Sequence, residues 1–333
     1  MSALERELDE IARETGFSGV VRVNRGDAVA IEKAWGLADR ERGIPNTAGT
    51  RFGIASGAKG LTALAIVSLI ADGVLSLSTR ARELLGDDLP LIADDVTVEH
   101  LLAHRSGIGD YYDEEIHTDV DAFELPVPVT ELDTTEAYLA VLDGHPTKFA
   151  AGERFSYSNG GYVVLALIAG RASGVPFHEL VVQRVCGPAG MRDTGFFRSD
   201  DLPERTALGY LDDGRTNERT LPVRGSGDGG IYTTLADVSA MWASFFAGEI
   251  VPESWVDEMV RPRSESPPLQ YGLGFWLEQS GRVRLHGMDA GVSFSSTHDR
   301  ATASTSTVVS NTGDGAWPLA RLLRAPPTHP ASP

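Results

Sequence analysis

Phe52-Gly-Ile-Ala-Ser56-Gly-Ala-Lys59-Gly-Leu-Thr-Ala-Leu64, running on as Ala65-Ile-Val-Ser-Leu-Ile-Ala71, is the stretch that decides the fold of this 333-residue chain. From Leu61 to Ala71 it is apolar nearly all round, which predicts a helix covered on every side. Ser56 and Lys59 stand three apart at its start, about 300° of helical rotation, and so share a face one turn apart. The free N–H groups of the first turn favour developing negative charge at Ser56. Lys33, Lys59 and Lys148 are the only lysines among 29 lysines and arginines. A lysine in a low-dielectric pocket loses basicity and can take a serine proton, whereas arginine stays charged. The plainer alternative makes Ser56 a helix cap and Lys59 a surface residue of the first turn.

Upstream, Leu4, Leu8, Ile11 and Ala12 recur at helical spacing and predict a helix over residues 3–14. Residues 18–23 and 28–35, either side of Asn24-Arg-Gly-Asp27, read as a strand–turn–strand hairpin. Downstream the pattern is mostly helical to about Ser199. Residues 108–135 interrupt it with nine Asp and Glu residues and two prolines, and read as a solvated acidic loop or a lid over a site. After residue 270, Tyr271–Glu278, Arg282–His286, Gly291–Thr297 and Ala303–Ser310 read as short strands of an antiparallel meander. Ala316–Leu323 follows as a last helix. The expected class is α+β: an antiparallel sheet flanked by terminal helices, with an inserted mainly helical lobe. The expected boundaries are 1–60 with 265–325 for the sheet domain, 61–264 for the helical domain and 326–333 for a frayed tail. The cleft between lobe and sheet is the natural site.

With 29 basic against 47 acidic side chains the formal net charge is −18, which disfavours nucleic acid and anionic membranes as partners. The lone cysteine, Cys186, excludes an internal disulfide and a Cys-rich zinc site, and reads as a small buried hydrophobe. No His-Glu-x-x-His, Gly-x-x-x-x-Gly-Lys, strand-borne Gly-x-Gly-x-x-Gly or Gly-x-Ser-x-Gly occurs, so neither cofactor nor metal is expected. The first residues lack the basic and apolar regions of a secretory signal, and no apolar run spans a bilayer, so a cytoplasmic location is expected.

Two further elements accompany the Ser-Lys pair. Tyr157-Ser-Asn159 lies in a turn of small residues before the apolar helix Val163–Ala169, and supplies a phenol able to relay a proton and an amide able to hold a carbonyl or a lysine. His286-Gly-Met288, followed by Asp289, ends a predicted strand whose backbone N–H can serve an oxyanion. Taken singly, each also reads as structure: a packed tyrosine, a capping asparagine, a strand histidine.

Ser-x-x-Lys, Tyr-x-Asn and a glycine-flanked strand motif, in that order, resemble the serine β-lactamase-like superfamily, and more closely its branch of class C β-lactamases, D-alanyl-D-alanine carboxypeptidases and family VIII carboxylesterases. The resemblance covers roughly residues 15 to 312. It includes Leu101-Leu-Ala-His104-Arg-Ser106-Gly107 and Gly229-Gly-Ile-Tyr-Thr-Thr-Leu-Ala-Asp237. It implies that Ser56 is the acylated nucleophile, that Lys59 assists its deprotonation, and that Tyr157 is a general base or proton relay. Asn159 would orient substrate and Lys59; His286, Gly287, Met288 and Asp289 would line the substrate groove; the backbone N–H groups of Ser56 and Asp289 would form the oxyanion hole. Where class C β-lactamases have Lys-Thr-Gly, this chain has His286-Gly-Met288; a mostly neutral histidine is expected to hold a carboxylate less well, and Met288 to narrow the groove. The expected partner is a small ester, amide or β-lactam. A carboxylesterase is the favoured reading. A β-lactamase or D-alanyl-D-alanine carboxypeptidase is one alternative, and a degenerate binding protein of the same fold, for which Met288 speaks, is the other.

Overall fold

The computed structural model describes residues 1–117 and 119–324; Thr118 and the tail expected at 326–333 lie outside the described residues. Helix α1 (Ala3–Thr15) leads into strands β1 (Gly19–Arg25) and β2 (Ala28–Trp35). The long middle carries α2 (Ala58–Ala71), α3 (Asn159–Ser173) and α4 (Leu235–Phe246). Strands β3 (Ser264–Ser266), β4 (Leu269–Tyr271), β5 (Trp276–Leu277), β6 (Val283–Asp289), β7 (Val292–Asp299) and β8 (Ser304–Ser310) follow, then α5 (Ala316–Arg324). They form one antiparallel eight-stranded sheet in the order β2-β1-β8-β7-β6-β5-β4-β3. The N- and C-terminal strands pair within it as its second and third strands, where Val21 of β1 stands opposite Val308 of β8.

Strand alternation distributes the core. Val21, Ile31 and Val308 pack with Leu8, Ala12, Leu319 and Ala320 of the terminal helices, while Val20, Val309, Leu285 and Phe294 face α2 and α4. Residues 58–70 of α2 are all buried, as its apolar circumference predicts. Each fully buried leucine or isoleucine there contributes roughly 1.5–3 kcal/mol. A Cβ at Gly60 would stand 2.6 Å from Leu285 Cδ2, so a larger residue there would require the Leu285 side chain of β6 to shift.

Two local readings differ from the sequence expectation. The strand read over Tyr271–Glu278 is broken, because the Gly272 N–H donates to Phe275 O and Gly274 sits at φ +91°, turning the chain into a hairpin between β4 and β5. The middle is also less helical than its composition suggests: Ala81–Leu85 and Val98–Leu102 are single turns joined by long loops. Among the described residues no single helix is long and apolar enough to cross a membrane. One feature of the sheet sets the cleft: β5 pairs with β6 only at Val283 and Arg284, leaving the Leu285–Asp289 edge without a strand partner on that side.

Candidate active site

The short strand Phe52–Gly53, paired with Tyr232–Thr233, delivers the chain to a 3-10 turn at Ala55–Gly57 that runs straight into α2. Ala55 adopts φ +45°, in the left-handed region, and Ser56 follows it, partly exposed at the cleft floor. One turn on, Lys59 is 1% exposed. Its Nζ lies 2.9 Å from Ser56 Oγ, 2.8 Å from Asn159 Oδ1 and 2.9 Å from Asp228 O. Burial pushes its pKa below the ordinary lysine value, and the carboxyl groups of Asp228, Glu114, Asp110 and Asp289 pull the other way. Three neighbours satisfy three ammonium protons. They equally suit a neutral amine that donates to Asn159 and Asp228 and accepts the Ser56 hydroxyl. The alternative of Lys59 as a surface residue is therefore excluded.

Tyr157 and Asn159 approach from the other side. Ser158 is the N-cap of α3, its Oγ accepting from the Gly161 N–H at 3.0 Å. Asn159 is consumed internally: Oδ1 accepts from Lys59, and Nδ2 donates to Tyr112 O at 3.1 Å and Glu114 Oε1 at 3.2 Å. Burial, reinforced by Glu114, raises the pKa of the Tyr157 phenol well above the usual tyrosine value, and the nearby Ser56 hydroxyl offsets this only in part. The phenol therefore carries its proton at neutral pH. Its ring centroid is 4.9 Å from Lys59 Nζ and 6.0 Å from the stacked ring of Trp276. Ser56, Lys59, Tyr157 and Asn159 are thus one connected group, drawn from α2 and from the turn into α3.

On β6 the four expected residues divide. A Cβ at Gly287 would stand 2.1 Å from Ile54 O and 2.9 Å from Ser56 N, so the bare backbone of Gly287 seats directly against the turn that carries Ser56. Met288, 51% exposed, and Asp289 line the cleft beside Ser56. His286 does not join them. Strand alternation turns its ring away from the face that Gly287 and Asp289 share, and there it stacks on Trp317 of α5 and its Nε2 accepts from Arg284 Nε at 2.8 Å; Met288, two residues on, reaches the cleft rim as an exposed side chain. Burial, with Arg284 and Arg324 nearby, lowers the His286 pKa to about 3. The expectation that the His286 side chain meets substrate is corrected accordingly.

Sequence reading missed the acidic shell. Asp110 receives the Asn159 N–H at 2.6 Å and the Gly160 N–H at 2.8 Å at the start of α3, and burial raises its carboxyl to about 6. Asp228 offers its carbonyl to Lys59 and its carboxylate to the Tyr111 hydroxyl. Burial, with Asp228 and Glu114 close by, raises Asp289 to about 7. The acidic stretch, read as either a solvated loop or a lid over a site, walls the cleft with Tyr111, Tyr112, Glu114, Phe123 and Leu125. The available signal was the sequence Ser106-Gly-Ile-Gly-Asp110-Tyr-Tyr112, polar and aromatic residues directly following the His104 segment. The cleft, about 590 Å³ and open to solvent, is completed by Val120, Leu221, Pro222 and Gly229. Among the described residues no group of His, Cys, Asp and Glu is arranged to hold a metal ion.

Comparison with known proteins bears on this arrangement. The Beta-lactamase family model matches residues 2–325. Esterase EstB of Burkholderia gladioli is 35% identical over 216 residues, covering 63% of this chain and 54% of that protein. A D-aminopeptidase of Brucella anthropi is 28% identical over 300 residues, covering 86% of this chain and 54% of that protein. The chain thus spans about half the length of these curated relatives. The crystal structure of a penicillin-binding protein from Bacillus halodurans superposes with a TM-score of 0.90 at 35% identity, over 95% of this chain and 98% of that one.

Proposed function

We propose, from the premise that the chain belongs to the Beta-lactamase family, that it is a serine hydrolase working through a Ser56 acyl-enzyme, and that its substrates are uncharged carboxylic esters. The observation that carries this reading is the buried Lys59 amine, 2.9 Å from Ser56 Oγ and held by two carbonyl oxygens. The neutral amine takes the hydroxyl proton as Oγ attacks the ester carbonyl carbon. The N–H groups of Ser56 and Asp289 receive the oxyanion. As the tetrahedral intermediate collapses, the C–O bond to the alcohol breaks, and the proton reaches the departing alkoxide through the Tyr157 phenol. Water then attacks the acyl carbon, its proton passes back through Tyr157 to Lys59, and Ser56 leaves as the hydroxyl. Asn159 keeps Lys59 aimed throughout.

The preference for uncharged esters rests on the cleft lining. Glu114, Asp228 and Asp289 contribute carboxyl groups, among the described residues no arginine, lysine or histidine lines it, and Met288, Phe123, Leu125 and Val120 supply apolar surface. A carboxylate-bearing β-lactam or D-alanyl peptide would find repulsion there. The likeness to EstB supports an esterase; the likeness to the Bacillus halodurans penicillin-binding protein supports a second reading, acylation by β-lactams. Turnover of p-nitrophenyl butyrate, nitrocefin and a D-alanyl-D-alanine peptide separates the two. Ester turnover should dominate, and faster nitrocefin turnover would overturn the preference. Intact mass after a fluorophosphonate probe should show one adduct on Ser56; its absence would leave a binding protein of the same fold.

A further inference from the structure

Among the described residues His104 is the only histidine whose ring touches Tyr157, and it grips that residue's neighbours on both sides. Its backbone oxygen accepts from the Ser156 N–H at 2.9 Å, and its ring Nδ1 accepts from the Ser158 N–H at 3.1 Å. Between the two anchored residues stands Tyr157, whose ring centroid is 4.3 Å from the imidazole. Phe155, Tyr162 and Tyr271 complete an aromatic enclosure around His104, with centroids 5.8, 5.0 and 4.7 Å away. The residue is 1% exposed, and Nε2 has no hydrogen-bond partner among the described residues. Its backbone is held at φ +53°, a left-handed conformation that a non-glycine residue adopts only at a cost.

These features belong together. A side chain needed merely to fill an aromatic pocket would be apolar, and one needed for the backbone turn alone would be glycine or asparagine. Imidazole meets three demands at once: an sp² acceptor facing Ser158, a flat face against Tyr157, and a shape that closes the pocket. With Nδ1 as acceptor the ring proton sits on Nε2, and burial together with Lys59 keeps the ring neutral, so the acceptor persists. We infer that His104 is a positioning residue for the Tyr157 phenol, clamping the 156–158 backbone so that the ring stays against Lys59 and its hydroxyl beside Ser56.

The inference rests on the proposed role of Tyr157, and the test separates the two. The rate of Ser56 modification by a fluorophosphonate, and kcat and KM on p-nitrophenyl butyrate, are measured for the wild type, His104→Leu, His104→Gln, Tyr157→Phe and the His104→Leu/Tyr157→Phe double variant. Loss of one buried acceptor should lower kcat about tenfold or more in His104→Leu with KM within about twofold. His104→Gln, which keeps an sp² acceptor, should recover most of it. In the Tyr157→Phe background His104→Leu should add little, because both changes remove the same function. Should His104→Leu fail to fold, as near-UV circular dichroism would show, His104→Met takes its place in the cycle. Effects that add in full, or a folded non-acceptor variant with wild-type kcat, would overturn the role of His104. A wild-type-like Tyr157→Phe would instead overturn the role of Tyr157.

Discussion

At the start of α2, Ser56 and Lys59 send their side chains into the cleft; along β6, the side chain of His286 leaves it, and Gly287 contributes only backbone. Both segments border the same few ångströms, yet they use their residues in opposite ways. The helix start gives hydroxyl and amine, groups named by residue type. The strand gives an unpaired edge and a close approach, which depend on having no side chain at all. A pattern of residue types therefore carries different information in the two places: at Ser-x-x-Lys it names the chemistry, and at His-Gly-Met it marks where the backbone must be bare.

The largest test of this contrast is Lys59→Arg. The charge persists and the base does not, so kcat/KM on the ester should fall by a factor on the order of 10² to 10⁴. Near-normal turnover would remove the helix start from its side of the comparison. The same amine sets a pH dependence. Its pKa is lowered from the lysine range and the reactive form is the free amine, so acylation should rise with pH and be lost as pH falls through that pKa. On the strand, Gly287→Ala should lower kcat about a hundredfold while the protein remains folded, because the added carbon meets Ile54 O and the Ser56 N–H. A Gly287→Ala variant with unchanged kcat would mean that the strand's backbone does not need to come so close.

The same distinction explains how much was legible beforehand. The buried α2, the joining of the two chain ends in one sheet and the meander after residue 270 follow from apolar periodicity, which burial enforces residue by residue; the strand Ser264–Ser266 ahead of it was not read. Ser56 and Lys59 were legible because their spacing is fixed by a helix and because lysine is so scarce in this chain. Asp228 was not, since what it gives Lys59 is a backbone carbonyl, and any residue has one. Asp110 and Glu114 were hidden inside a run of acids whose composition resembles a solvated loop; only tertiary placement distinguishes Asp110, under the N-terminus of α3, from acids such as the exposed Glu115. His286 was misread for the reason that defines a strand: successive residues lie on opposite faces, and residue type alone does not say which face each takes.

Asp289 sharpens the strand's part through stability. Its carboxyl is raised to about 7 in the folded protein, against about 3.9 in an unfolded chain, because burial and the nearby Asp228 disfavour its charge. A raised folded pKa means that the folded state holds the extra proton. The associated stability is fully present below about pH 4 and is lost as pH climbs through 7. Asp289→Asn should remove that loss, so its melting temperature relative to wild type should rise between pH 4 and pH 8, with a gain on the order of 1 kcal/mol or more at the upper end. Parallel melting curves across that range would show that Asp289 ionises without penalty.

The smallest catalytic effect belongs to His286→Ala, and it is the one most able to break the comparison. The ring accepts from Arg284 Nε and stacks on Trp317, on the face of β6 turned away from Ser56. Removing it leaves the guanidinium of Arg284, itself 8% exposed, short of one partner. That should cost about 1–2 kcal/mol of stability, read by urea denaturation. The ring faces away from the cleft, so kcat and KM should stay within about twofold of wild type at a temperature where both proteins are folded. A tenfold fall in kcat without unfolding would mean that the imidazole reaches the chemistry after all. The strand would then work through side chains just as the helix start does.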